Sequence, residues 1–261
     1  MSRHGFALLA VLWVLTALTA LVGTGLLVAR LGADTTRNRV LLARAEWARE
    51  ACGEILLARF ATDPSIRTVE PIDLGRGTWC RAALDDPTAR MNLNTSDRNA
   101  LARLFAAVDV DSALADSVVI ARRTGMIYDI RQFGSIDSAQ SAHLSRFVTT
   151  RGTGVVNVNA APPEVLRVLP GLSEEAVVIL MGRRGARPVM NADELAGALS
   201  RSSRAILLNN YAEFVRATVF SPPQLLATIE GGVRGTPIVA RATLTTVPVP
   251  GRLAVIRRES E

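Results

Sequence analysis

The hydrophobic pattern opens with one unbroken apolar run. Residues 6–29, FALLAVLWVLTALTALVGTGLLVA, carry no charge and follow a five-residue head, Met-Ser-Arg-His-Gly. At about 1.5 Å per residue a helix over this run is about 36 Å long, enough to cross a hydrocarbon core of about 30 Å with some tilt. It is longer than the apolar stretch of about 7–15 residues in a secretory signal, and no small-x-small cleavage site follows it. No proline occurs before Pro64, so the pattern predicts one helix from Phe6 to about Ala61. Its second half is amphipathic. Val40, Trp47, Ala51, Ile55 and Ala58 recur at three-, four- and seven-residue steps, while Arg44, Glu46, Arg49, Glu50 and Glu54 fall mostly on other faces. The expected element is a stalk whose first half lies in lipid and whose second half packs one stripe on a domain. Gly23, Gly25 and Gly32 are its expected points of bending.

Beyond the stalk the period changes. Residues 62–77 read as loop, from Asp63-Pro64 through Pro71 to Gly75 and Gly77. A short strand follows from about Thr78 to Leu84 and ends at Asp85-Asp86-Pro87. Residues 92–205 have helical periodicity. After Tyr211 the segments Ala212–Phe220, Ile238–Val247 and Leu253–Arg257 are β-rich, separated by Pro222-Pro223, Gly231-Gly232, Gly235 and the stretch from Pro248 to Gly251. Strands on both sides of a helical block predict a small sheet domain interrupted by a helical insertion.

That insertion contains a repeat. Asn92-Leu93-Asn94-Thr95, followed by Leu101 and Leu104, matches Asn157-Val158-Asn159-Ala160, followed by Leu166 and Leu169, at one constant spacing. Ser117–Ile120 with Arg122-Arg123 echoes Ala176–Ile179 with Arg183-Arg184. Asp129–Phe133 lines up with Ala192–Leu195 after a small indel. Alternate Asn side chains on an extended segment point the same way and can bond nearby backbone, with Thr95 or Ser96 capping the next helix.

Charge and candidate chemistry narrow the function. The 30 basic residues outnumber 24 acidic ones, and the sequence pI is near 10.7, which raises nucleic acid as a partner. Every basic residue is arginine, however, scattered singly or in pairs among acids, which reads as a dispersed solvated surface. The second repeat resembles a helix-hairpin-helix unit, with a turn at Pro170-Gly171 and Ser173 capping a helix from Glu174-Glu175. Ser173 replaces the second glycine of the usual Gly-x-Gly turn. Glu174 and Glu175, and Asp109 with Asp111 in the first copy, stand where phosphate would approach. A structural, protein-contacting role is therefore expected of these hairpins. His4 and His143 are the only histidines, and no metal cluster, nucleophile elbow or phosphate loop occurs. Asp85-Asp86 and Asp109 with Asp111 lack the spacing of a calcium loop and read as solvated turn residues. Cys52 and Cys80 are the only cysteines. Outside the cytoplasm they could close a loop of about 29 residues, worth about 3 kcal/mol by chain entropy. Two buried free thiols are the other reading.

These residues resemble a known group. The head Arg3-His4-Gly5 followed by Phe6-Ala7-Leu8-Leu9 is similar to the amino terminus of type IV pilins and type II secretion pseudopilins. The resemblance implies cleavage between Gly5 and Phe6 by a prepilin peptidase, with N-methylation of Phe6. Most members carry glutamate five residues after the cut. This chain has Ala10, and lack of that glutamate characterises the minor pseudopilins of the K type (GspK, general secretion pathway protein K). The steps Met91-Asn92-Leu93-Asn94 and Val156–Pro162 and the turn Val168–Leu172 are also similar to that family, nearly end to end.

The resemblance implies an α+β, pilin-like fold: a long amino-terminal helix on a small antiparallel sheet, interrupted by a large α-helical insertion with two repeated units. The expected layout is a leader at 1–5, a transmembrane helix at 6–29 and the periplasmic half of the stalk at 30–61. Sheet parts at 62–91 and 206–261 then flank an insertion at 92–205. The implied role is non-enzymatic: a tip component that initiates a periplasmic pseudopilus and supports export of folded proteins across the outer membrane. The implied partners are the I and J minor pseudopilins, the major pseudopilin, the prepilin peptidase and the inner membrane, without nucleic acid. No cofactor is required. Calcium in the globular part belongs to the resemblance, with no ligands assigned, so the metal site is unknown.

Ala10 has a physical reading of its own. A carboxylate at the centre of a membrane helix costs about 2.5–3.5 kcal/mol and is kept for a partner such as a neighbour's free amino terminus. A subunit with Ala10 cannot make that bond to a subunit above it, which suits a filament end. Charge does not set the orientation, because Arg3 and the amino terminus stand against Arg30, Arg37 and Arg39. The resemblance implies a cytoplasmic amino terminus and a periplasmic body. The rival readings are a membrane-anchored helix-hairpin-helix DNA receptor of the competence type, a minor pilin of another system, and a membrane-tethered enzyme that no residue pattern supports.

Overall fold

The computed structural model describes residues 3–134, 136–184 and 186–260, and side chains from Val11 to Glu259. Helix α1, Arg3–Thr62, runs for 60 residues without a break at Gly23, Gly25 or Gly32. Within its apolar half, the hydroxyls of Thr16, Thr19 and Thr24 donate to helix carbonyls three or four residues back, so they need no water.

Strands β1 (Thr68–Gly75) and β2 (Thr78–Asp85) follow. The insertion then carries β3 (Met91–Asn92), α2 (Arg98–Ala107), α3 (Leu114–Thr124), α4 (Ser138–Leu144), β4 (Val148–Thr149) and β5 (Val156–Asn157). It continues with α5 (Pro163–Arg167), α6 (Glu174–Arg183), α7 (Ala192–Ala198), α8 (Arg201–Asn209), α9 (Tyr211–Ala217) and β6 (Thr218–Val219). The chain closes with β7 (Leu225–Val233), β8 (Val239–Val249) and β9 (Arg252–Ser260). The main sheet has five antiparallel strands in the order β1-β2-β7-β8-β9. Asp85 at the end of β2 pairs with Leu226 of β7. The insertion therefore enters and leaves through adjacent ladder positions, as one long connection between neighbouring strands, and the sheet register is undisturbed.

The stalk docks on this sheet through small residues. Ala45, Ala48, Cys52, Leu56 and Phe60 are buried, and most share a core with Val69, Cys80, Leu84, Ala227, Ile229 and Leu244. The expected stripe is thus displaced by about one residue, for Trp47 is 56% exposed and Val40 48%. The reason is distance. Alanines let the helix backbone sink onto β7, where a Cβ on Gly231 would collide with the backbone of Ala45, Ala48 and Arg49. A Cβ on Gly232 would lie 2.8 Å from the Trp79 indole on β2.

That close approach explains why β7 is hidden in the sequence: Gly231-Gly232 reads as a strand breaker but marks the contact with α1. Likewise, residues 68–75 form β1 rather than loop. Pro71 is tolerated because β1 is an edge strand, and a register shift between Val69 and Ile72 leaves it outside the regular ladder. The β-rich pattern at Ala212–Phe220 is mostly helix α9, whose Phe214 is fully buried in the insertion core, followed by the short β6. Tertiary burial overrides local propensity there.

The insertion has a core of its own, continuous through both repeated units. Leu101, Leu104, Phe105, Val118 and Leu144 of the first share it with Val165, Leu166, Leu180, Leu195 and Leu207 of the second.

Candidate functional site

Each unit of the insertion is tied shut at its ends. The opening strand pairs in parallel with the closing one, Met91 with Val148 and Asn92 with Thr149 in the first, Val156 with Thr218 and Asn157 with Val219 in the second. Within each Asn-x-Asn step the first asparagine's side chain accepts from the second asparagine's N–H, at 2.8 Å for Asn92 and 3.1 Å for Asn157. The other bonds reach far along the chain rather than to nearby backbone. Asn94 donates to the carbonyls of Ile127 and Thr150 and accepts from the Ile127 N–H. Asn159 donates to the carbonyls of Val189 and Phe220 and accepts from the Val189 N–H. One amide thereby fastens the start, the middle and the end of its unit.

A half-buried arginine completes the tie. Arg122 donates to the carbonyls of Leu93 and Ser96, at 2.5 and 2.8 Å, and Arg184 donates to those of Val158 and Ala161. Desolvation lowers the proton affinity of both guanidinium groups. Since Arg122 corresponds to Arg184, buried Val118 corresponds to Leu180, and the echo of Ser117–Ile120 in Ala176–Ile179 is one helical turn out of register. Asp129 and Asn191 likewise match as caps of the segments that follow them. Asp97, and neither Thr95 nor Ser96, caps α2.

At the second hairpin α5 ends at Arg167, Gly171 takes φ 76°, and Ser173 accepts from the Ala176 N–H to cap α6. The side chains around this turn are committed within the protein. Glu174 accepts two bonds from Arg167, at 2.9 and 2.8 Å, and Glu175 accepts from the backbone and hydroxyl of Ser200. These bonds hold both carboxyls below the usual carboxylate range. Arg103 of the first unit donates to the Val168 carbonyl of the second. At the first hairpin Asp109 stands at φ 57° and Asp111 accepts from the Ala113 N–H. Acidic side chains thus stand at both turns, where a phosphate-binding hairpin would meet its anionic ligand.

The acidic pair at the exit of β2 is also engaged. Asp85 pairs with Arg90. Asp86 accepts from the backbone and hydroxyl of Thr88 and from the Asn157 amide, which links the sheet to the second unit. Among the described residues no three His, Cys, Asp or Glu side chains gather to hold a metal. His143 lies with Nε2 3.2 Å from the Val108 carbonyl and its ring edge-on to Phe147, a packing position.

Cys52 of α1 and Cys80 of β2 are both fully buried and joined as a disulfide, with Cα atoms 5.8 Å apart. The bond fastens the stalk to the sheet beside the glycine contact. Gly5, Phe6 and Ala10 lie on the backbone of α1, and their side chains fall outside the described residues. From Val11 on, the apolar half of α1 is exposed along its length, and it is long and apolar enough to cross a membrane.

No protein-family model matches the chain, and no curated protein matches it in sequence. Among solved structures, a chain of the GspK-GspI-GspJ complex from the type 2 secretion system of enterotoxigenic Escherichia coli is similar in fold. Its TM-score is 0.58 at 14% identity, and the likeness covers 89% of this chain and 99% of that one. The likeness is therefore one of architecture: this chain has a pilin-like α+β fold, with a long amino-terminal apolar helix packed on an antiparallel sheet that a helical insertion interrupts, and most of it is similar in fold to a component of that secretion complex.

Proposed function

We propose that the protein is a minor pseudopilin of the K type in a type II secretion system. In this reading residues 1–5 are a leader that a prepilin peptidase removes, Phe6 is N-methylated, and residues 6–29 hold the subunit in the inner membrane. The amino terminus is cytoplasmic and the body periplasmic. The subunit acts at the tip of a short pseudopilus, with the I and J minor pseudopilins, to start assembly from the major pseudopilin and support export of folded proteins.

The observation that carries the reading is the continuity of α1. An exposed apolar span runs without a break into a stalk docked on the sheet, as a filament subunit drawn from the membrane requires. The architectural likeness to a chain of the GspK-GspI-GspJ complex supports the choice of partners. Two features suit a filament end. Ala10 offers no carboxylate to a neighbour's amino terminus, and the insertion adds bulk at the far end of the sheet, beyond the Asp85–Leu226 pair. The role is structural, with no catalytic residues assigned. The helix-hairpin-helix DNA receptor gains no support from hairpins whose acids are committed as described above.

Co-expression with the I and J minor pseudopilins of the same system tests the reading. A stoichiometric complex that survives purification is the expected result. Its absence, together with salt-dependent DNA binding by the chain alone, would replace this reading with the receptor.

A further inference from the structure

Where α1 leaves its apolar run the sequence turns cationic. Arg30 follows the last apolar residue directly, and Arg37 and Arg39 follow within the next turns, against a single acid, Asp34. All four positions are exposed. Elsewhere this chain pairs many of its arginines: Arg98 with Asp116, Arg167 with Glu174, Arg234 with Asp73 and Arg257 with Glu259. Among the described residues Arg30, Arg37 and Arg39 have no such partner.

Apart from Asp34, their surroundings supply no acid. The loop from Gly235 to Ile238, which lies against α1 beside Arg37, Arg39 and Leu42, is uncharged. The hydroxyls of Thr35 and Thr36 donate to the Leu31 and Gly32 carbonyls and so are turned into the helix.

We propose that Arg30, Arg37 and Arg39 form a cationic collar that binds the phosphates of anionic phospholipids at the membrane face from which the stalk emerges. The geometry fixes the occupant. The apolar run places Arg30 at the edge of the hydrocarbon core, and the headgroup layer extends about 5–7 Å beyond it. At about 1.5 Å per residue, Arg37 and Arg39 stand about 11–14 Å above Arg30, and their long side chains reach back toward the headgroups. Arg44, about 21 Å above Arg30, lies beyond a screening length of about 8–10 Å from that layer. Bidentate guanidinium–phosphate pairing suits arginine, the only basic residue type this chain uses. The collar also accounts for arginines on both sides of the span, since these three serve lipid contact at the emerging face. The inference rests on α1 crossing a membrane and not on the secretion role.

The test uses the full chain in nanodiscs made of equal phosphatidylglycerol and phosphatidylcholine, with the lipids retained through mild detergent extraction counted by mass spectrometry. The ratio of phosphatidylglycerol to phosphatidylcholine should rise about threefold over the bulk ratio, as expected of a juxtamembrane basic cluster. The triple variant Arg30→Gln, Arg37→Gln, Arg39→Gln should lose the enrichment, Arg44→Gln should keep it, and Asp34→Asn should raise it. Inorganic phosphate at millimolar concentration should not displace the lipid. Retention at the bulk ratio in the unmodified protein, or equal loss in Arg44→Gln and the triple variant, would overturn the collar. If the triple variant fails to insert, Asp34→Asn decides alone: unchanged enrichment counts against the proposal. Enrichment in a chain that forms no pseudopilin complex would keep the collar and remove the secretion reading.

Discussion

Asn94 and Asn159 occupy equivalent places in two successive units and make the same three long bonds. Each holds both the N–H and the carbonyl of one residue, Ile127 or Val189, and donates to a second carbonyl, of Thr150 or Phe220. The insertion is thereby two copies of one device, each closed by an amide and braced by a half-buried arginine.

Replacing either asparagine leaves three partly buried backbone groups without a partner. Asn94→Ala and Asn159→Ala should each lower stability by about 2–3 kcal/mol. Exposed Asn38, on the stalk, should tolerate alanine within about 0.5 kcal/mol. Urea titration followed by circular dichroism reads the difference. Equal behaviour of Asn38→Ala and Asn94→Ala would remove the amide ties from the account.

Two glycines separate space from conformation. Gly231 needs room, because a Cβ would strike the backbone of α1, whereas Gly235 has open space but φ 74°. Gly231→Ala should cost about 2–3 kcal/mol through overpacking. Gly235→Ala should cost about 1–2 kcal/mol through left-handed strain. Thermal unfolding gives the order, and a reversed order would contradict the docking of the stalk on β7.

The disulfide closes a separation of 28 residues between stalk and sheet. The double variant Cys52→Ala, Cys80→Ala should lose about 3 kcal/mol, mainly through a freer unfolded chain. Both cysteines are buried, so mild reductant should act slowly on the folded protein and quickly in denaturant. Rapid reduction of the native chain, followed by labelling of both thiols, would contradict their burial at the stalk–sheet contact.

Acid should loosen the insertion. Arg98 beside Asp116, Arg167 beside Glu174 and the Ser200 donors beside Glu175 hold these carboxyls below their ordinary values. A carboxyl lowered in the folded state stabilises the fold above its unfolded value, and that contribution is lost as pH falls through the folded value. The melting midpoint should therefore be flat toward neutral pH and fall below about 4.5, the ordinary value for glutamate. Asp116 and Glu174 are exposed and Glu175 is half-buried, so the drop should be shallow and weaken further in high salt. A midpoint that rises on acidification would contradict these pairings.

What the sequence made legible follows from the range of each interaction. The stalk and the Asn-x-Asn repeat show in local periodicity. The partners of Asn94 do not, because they are backbone groups 33 and 56 residues away that any side chain could carry. The stripe on α1 is misplaced when large apolar residues are taken as core, for here alanines make the contact and Trp47 faces outward. Strand β7 is lost for the same reason, since its glycines answer to α1 and not to their own neighbours in sequence. Phe214 on α9 and Pro71 on β1 mislead in the same way, their settings being decided by burial and by an edge position.

The central claim is that α1 is a processed pilin-type stalk, and the mass of the mature amino terminus tests it most directly. Protein purified from membranes of a host with an active prepilin peptidase should begin at Phe6, five residues shorter than the sequence and carrying one methyl group. A chain that keeps Met1, or one cut near residue 29, would contradict the account.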